Sequence, residues 1–143
     1  MRKLIAGWII MGGLTGCVDY DGVTEANGAD TVVVSAQFQR DVSPILELRC
    51  GIGGCHSKIS HQAGLVLTPD SAYGALVGKP SQTRGGQVLV RPGDAENSFM
   101  VNAIRDDATK RLGLARMPLA SGALTPNQIQ TIVNWVNRGA PHD

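Results

Sequence analysis

Two stretches of this chain carry the longest helical signals, and between them the elements are shorter and separated by loops. In the first, Phe38, Val42, Ile45 and Leu46 recur at helical spacing with Arg49 closing the row, so a short amphipathic helix is expected over Phe38 to about Arg49. Ser43-Pro44 marks where its regular part begins, since Ser suits a cap and Pro the first turn. The second stretch is the clearer. Thr125-Pro126-Asn127-Gln128 joins an N-cap, a Pro at the first helical position and a capping-box Gln. Ile129, Ile132, Val133 and Val136 follow at i, i+3, i+4 and i+7 with Trp135 beside them, and Gly139 and Pro141 end the helix.

Residues 57–97 read mostly as loop. Gly64-Leu65-Val66-Leu67 and Val88-Leu89-Val90-Arg91 look extended, and Asp70 or Ser71 can cap a short helix through Tyr73, Leu76 and Val77. Pro92-Gly93-Asp94 breaks the chain. A third helix is expected from Asp94 or Asn97 through Phe99, Met100, Val101 and Ile104, with its polar end at Arg105-Asp106-Asp107. A second loop, 106–124, carries Arg116-Met117-Pro118-Leu119. The expected class is all-α, short helices joined by long loops, with no internal repeat.

The N-terminus has another pattern. Arg2 and Lys3 precede an apolar run from Leu4 to Leu14, 11 residues long, too short for the ~20 that span a bilayer. It closes on Leu14-Thr15-Gly16-Cys17, which resembles a bacterial lipoprotein cleavage box. Residues 1–17 are therefore expected to be a signal peptide and Cys17 the lipidated residue, holding the protein to a membrane of the bacterial cell envelope, on a periplasmic or outer-membrane/cell-surface face. An ordinary secretory signal that happens to contain a cysteine is the alternative. Val18 to about Gln37 is small, polar and acidic, and is expected to be a flexible tether, with Thr31-Val32-Val33-Val34 as a possible short strand. The domain proper is expected over 38–143.

At 143 residues the chain has room for one such domain, and its net charge of +1 with pI near 7.8 gives no electrostatic case for nucleic acid. Removing Arg2 and Lys3 leaves 11 basic against 12 acidic residues, a net of −1. After residue 20 only Phe38, Tyr73, Phe99 and Trp135 supply aromatic rings, while Gly numbers 18. So thin a core calls for a staple: a disulfide, a metal or a prosthetic group.

The candidate staple is Cys50-Gly51-Ile52-Gly53-Gly54-Cys55-His56. Two thiols flanking one turn, followed directly by an imidazole, suit thioether attachment of a haem with His56 as proximal ligand. The common spacing has two residues between the cysteines and this chain has four. Three of those four are glycine, which can take the positive φ that a wider turn needs. A Cys50–Cys55 disulfide with His56 a bystander is the competing reading in an exported protein. Zinc is disfavoured, because adjacent Cys55 and His56 fit one tetrahedral site poorly and no fourth ligand is evident.

A six-coordinate haem iron needs a second axial ligand. Met100 falls on the apolar face of a helix and reads as core. Met117 sits in a loop before Pro118, and a pre-proline residue is pushed to extended geometry, which can project the thioether inward. His61 lies too close to His56 to reach the opposite haem face, and His142 reads as solvated. Arg91 and Arg84 are candidates for pairing with haem propionates, and Trp135 for packing on the haem edge.

From about Phe38 to Pro141 the chain resembles small, exported, lipoprotein-anchored bacterial c-type cytochromes with one haem. The matching features are Phe38-x3-Val42-x-Pro44-Ile45-Leu46 leading into Cys50, then Gly54-Cys55-His56, Ala63-Gly64-Leu65, Val90-x-Pro92-Gly93-Asp94 with Ser98, Met117-Pro118, and Leu124-Thr125 through Ile132-x2-Trp135-Val136-x2-Gly139-Ala140. The resemblance implies a cytochrome c-like fold, with N- and C-terminal helices crossing and a methionine loop closing the far haem face. It implies one covalent haem c, Cys50 and Cys55 as attachment residues, and His56 and Met117 as axial ligands. The expected function is electron transfer to redox partners, other cytochromes or an oxidoreductase. It is not catalysis, although the chain could serve as the haem subunit of a larger oxidoreductase. The alternative is a haem-free lipoprotein domain stapled by Cys50–Cys55.

Overall fold

The computed structural model describes residues 30–143. The leader and Cys17 lie outside that range. Among the described residues the fold is all-α: four short helices joined by long loops, with isolated bridges but no strand. A π-helical turn, Phe38–Val42, runs directly into α1, Ser43–Arg49; α2 spans Ala72–Leu76, α3 Phe99–Ile104 and α4 Pro126–Asn137. A single 3-10 turn, Gln62–Gly64, lies between α1 and α2. No helix among the described residues is long and apolar enough to cross a membrane.

The first expected helix is thus two segments, with the regular one starting at Ser43-Pro44. Ser43 is not its cap: Val42 holds the N-cap position, and no side chain caps the helix there. The N–H groups that open the π turn are met from the far end of the chain. Phe38 N donates to Asp143 Oδ1 at 3.0 Å and Gln39 N to the Asp143 carbonyl at 2.8 Å. The clearest expectation holds in full. At α4 the Thr125 hydroxyl accepts from Gln128 N at 3.1 Å while the Gln128 side chain accepts from Thr125 N at 3.1 Å, which is the reciprocal capping box.

α3 begins later than Asp94 or Asn97, because both residues are used in the preceding turn. Asn97 donates to Asp94 from its backbone and its side chain, and the Ser98 hydroxyl donates to the Asp94 carbonyl at 2.7 Å. The segments read as extended, around 64–67 and 88–91, form no strand. Bridges pair Val77 with Val90 and Pro80 with Val88, and further backbone bonds tie 88–90 to the segment after α2 and to α3.

The end of the expected tether is part of the domain. Residues 30–37 form no strand, and instead lie along α4. Val33 N donates to the Thr131 hydroxyl at 3.1 Å, Asn134 Nδ2 donates to the Val33 carbonyl at 2.9 Å, and Arg138 Nη2 donates to the Ala36 carbonyl at 2.8 Å. Ala36 is fully buried. The domain boundary therefore falls before Phe38.

The core sits where α4 meets the first segment. Phe38 and Trp135, both fully buried, hold their rings 5.3 Å apart, and Tyr73 meets Phe38 edge-on at 5.2 Å. Val42, Leu46, Leu76, Val90, Val101, Ile132 and Val136 complete it. His142 is exposed, yet its ring stacks on Tyr73 at 4.1 Å rather than standing free in solvent. With three large rings gathered on this side, the rest of the interior is filled less completely, and a cavity remains.

Candidate functional site

The wide cysteine turn is built by α1 and a few backbone bonds. α1 ends as Cys50 N and Gly51 N both donate to the Leu46 carbonyl at 2.8 Å. The loop then closes on itself: Cys55 N donates to the Ile52 carbonyl and His56 N to the Cys50 carbonyl, each at 3.1 Å. That last bond brings the two ends of the turn together despite four intervening residues. The glycines differ in role. Gly54 has φ +83 and needs the freedom. Gly51 is required by crowding, since a Cβ there would lie 2.6 Å from the Leu67 carbonyl oxygen. A Cβ on Gly53 would meet nothing.

Above the turn lies one apolar cavity of about 580 Å³, within the ~300–1,000 Å³ range of small-molecule sites. Cys50, Cys55, His56 and Met117 all line it, so residues from 50 to 117 in the sequence share one wall-to-wall space. Leu46 of α1, Leu89, Phe99 and Ile104 of α3, and Ile132 of α4 supply apolar surface. The Cys50 and Cys55 thiols are not joined. Burial pushes the Cys50 thiol up to about 11, against a smaller opposing effect of Arg49, so at neutral pH it is a protonated, apolar-facing sulfur and not a thiolate.

His56 is oriented by its neighbour loop. Its Nδ1 lies 2.9 Å from the Gln62 carbonyl oxygen. A carbonyl can only accept, so Nδ1 carries the proton and, in the neutral ring, Nε2 keeps the lone pair. The carbonyl is aimed by a strained turn in which His61 and Ala63 both have positive φ, 29° and 57°. Nothing in the sequence marks this carbonyl as a partner, because it belongs to the backbone.

Met117 reaches the cavity from the 106–124 loop. Its N–H donates to the Ala103 carbonyl at 2.8 Å, and Arg116 Nε donates to the Ile104 carbonyl at 3.1 Å, pinning the loop to the end of α3. The Met117–Pro118 bond is cis. Met100 is buried in α3, as expected, but it also lines the cavity, so both methionines of the described residues face this space.

Three expected contributors are elsewhere. Arg91 Nε donates to the Asn97 carbonyl at 3.1 Å, and Arg91 does not line the cavity. Trp135 is spent on the aromatic cluster, with its Nε1 donating to the Pro141 carbonyl at 3.0 Å, and it too is absent from the cavity wall. Arg84 donates to the Leu112 and Thr83 carbonyls and does not itself line the cavity. His61 is exposed and does not line the cavity, although it belongs to the turn that aims the Gln62 carbonyl. The cationic side chain that does line the cavity is Arg49, which the sequence marks only as the residue closing the first helical row.

The donor set tests what could bind here. Among the described residues no cluster of three or more His, Cys, Asp and Glu side chains could hold a metal ion by itself. An imidazole with a free Nε2, a thioether, two thiols on one turn and an apolar enclosure instead fit a flat, apolar, metal-bearing group that brings most of its own ligands. Arg49 adds a buried Nε with no hydrogen-bond partner. No family model matches the chain, and comparison with curated proteins and with solved structures finds no match.

Proposed function

We propose that this chain is an electron carrier of cytochrome c-like fold that binds one haem c covalently. The observation that carries the reading is the convergence of Cys50, Cys55, His56 and Met117 on one apolar cavity, with His56 Nδ1 already bonded to the Gln62 carbonyl. In a haem protein a proximal imidazole is commonly fixed by just such a second partner, which sets its tautomer and raises its basicity.

Cys50 and Cys55 would each form a thioether by adding S–H across a vinyl group, sulfur to one carbon and hydrogen to the other, with no oxidant consumed. His56 Nε2 and the Met117 sulfur would take the two axial positions. When bound, the haem supplies a one-electron Fe(II)/Fe(III) couple. The apolar wall of Leu46, Leu89, Phe99, Ile104 and Ile132 keeps water from that couple. With His56 and Met117 both holding the iron, the chain would leave no position for substrate, which supports carriage over catalysis. The carrier works alone or as the haem subunit of an oxidoreductase, and its partners are redox proteins.

The leader pattern ending at Cys17 supports export and a lipid anchor in the bacterial cell envelope. Expression with cytochrome c maturation factors tests the central claim. A sharp reduced α-band and a mass increase of one haem are expected. A colourless protein whose mass shows two fewer hydrogens would replace this reading with a disulfide-stapled domain.

A further inference from the structure

We infer that Arg49 is the site at which the cavity takes up a carboxylate of its occupant. This rests on the haem reading, in which that group is a propionate. Among the residues lining the cavity, Arg49 carries the one permanent charge, and no Asp, Glu or Lys stands with it. Other arginines are neutralised by carboxylates: Arg40 by Asp41, Arg105 by Glu96, Arg116 by Asp106 and Arg138 by Asp143. Arg49 pairs with no carboxylate among the described residues.

Its hydrogen bonds are also lopsided. All of them run from Nη2, to the carbonyls of Ser121, Gly122 and Ala123 at 2.7, 3.0 and 3.2 Å. Ser121 returns a bond from its hydroxyl to the Arg49 carbonyl at 3.0 Å. Nε is shut off from solvent and has no acceptor. A buried donor on a charged group without an acceptor is costly, and a guanidinium N–H bonds a carboxylate more strongly than a neutral carbonyl. Neutral carbonyls take Nη2, and the Nε–H beside it is left for an anion. Because Arg49 directly precedes Cys50 and grips the segment after Met117, that anion would also brace the cysteine turn and the methionine loop against each other.

The test uses the full chain matured with haem labelled with ¹³C at its propionate carboxyls, compared as wild type, Arg49→Lys, Arg49→Leu and, as a control remote from the cavity, Arg91→Leu. Infrared difference spectra between the reduced and oxidised protein report the labelled carboxylates, and redox titration reports the midpoint potential. The labelled band should shift in Arg49→Leu and stay put in Arg91→Leu. The potential should fall in Arg49→Leu, since a cation near the iron favours the reduced state, and recover in part in Arg49→Lys. Should Arg49→Leu fail to mature, Arg49→Lys must still shift the labelled band. An unshifted band in a haem-loaded Arg49 variant overturns the inference and leaves the cytochrome reading standing. A wild type without haem overturns both.

Discussion

The Nδ1 atom of His56 and the carbonyl oxygen of Gln62 are 2.9 Å apart, although the ring belongs to the cysteine turn and the carbonyl to the strained turn that follows it. What aims the carbonyl is Ala63, held at φ +57. A β-branched residue tolerates that region poorly, so Ala63→Val should cost about 1–2 kcal/mol. It should also let the carbonyl drift from His56. If His56 holds a haem iron as proposed, loss of that bond would weaken the imidazole as a donor, and the midpoint potential of the matured protein should rise. Ala63→Gly, which accepts positive φ, should leave the potential where it was. A redox titration of both variants decides it, and equal potentials in all three proteins would remove the Gln62 carbonyl from any tuning role.

The glycines of the cysteine turn make a second prediction, because they are not equivalent. A Cβ on Gly51 would sit 2.6 Å from the backbone oxygen of Leu67, and backbone cannot swing aside as a side chain can. Gly51→Ala should therefore destabilise the domain by about 1–3 kcal/mol. Gly53→Ala, with open space and no positive φ, should change stability by less than about 0.5 kcal/mol. Urea unfolding of the two variants measures the difference. Equal midpoints would mean that the turn does not press against Leu67.

This contrast shows which parts of the molecule were legible in sequence. α1 and α4 are announced by local signals, since caps, Pro positions and apolar spacing act within a few residues. The cavity wall was legible where chemistry-bearing residue types mark it: Cys50, Cys55, His56 and Met117 stand out by kind, and all four line it. Misread features depend on distant partners. Residues 30–37 have the composition of a linker, but Thr131, Asn134 and Arg138, about a hundred positions away, hold them in place. Arg49 stands in the sequence only as the last residue of a helical row, and its carbonyl partners lie 72 to 74 residues on. Arg91 was singled out by charge alone, and a carbonyl six residues away holds it.

Two methionines on one cavity make the axial assignment a question that substitution settles. Met100 lies within α3, where Ala103, one turn on, also binds the Met117 N–H through its carbonyl, so α3 forms a wall of the cavity. Met117 sits on a loop that this wall holds in place. Met117→Ala should abolish low-spin methionine ligation while the haem stays attached through Cys50 and Cys55. Met100→Leu, a near-isosteric change in a packed helix, should keep the visible spectrum and cost less than about 1.5 kcal/mol. If the spectrum changes only in Met100→Leu, the ligand is Met100.

The Cys50 thiol sets a pH window. Burial pushes it up to about 11 in the folded chain, whereas an unfolded thiol titrates near ~8.5. Between those values the unfolded chain has released the proton and the folded chain still holds it. The folded state therefore binds more protons, and stability falls as pH rises through the window. In haem-free protein kept reduced, stability contributed by this group should be fully present below about pH 8.5 and lost by about pH 11, with a total change of about 3 kcal/mol at most. Cys50→Ala should remove that alkaline loss. So should maturation, since a thioether sulfur has no proton to give up. Urea midpoints measured across the alkaline range on reduced apo, Cys50→Ala and haem-loaded protein test this directly. A haem-loaded protein with the same alkaline loss as the apo form would mean that Cys50 is still a free thiol, leaving at most Cys55 bonded to the porphyrin.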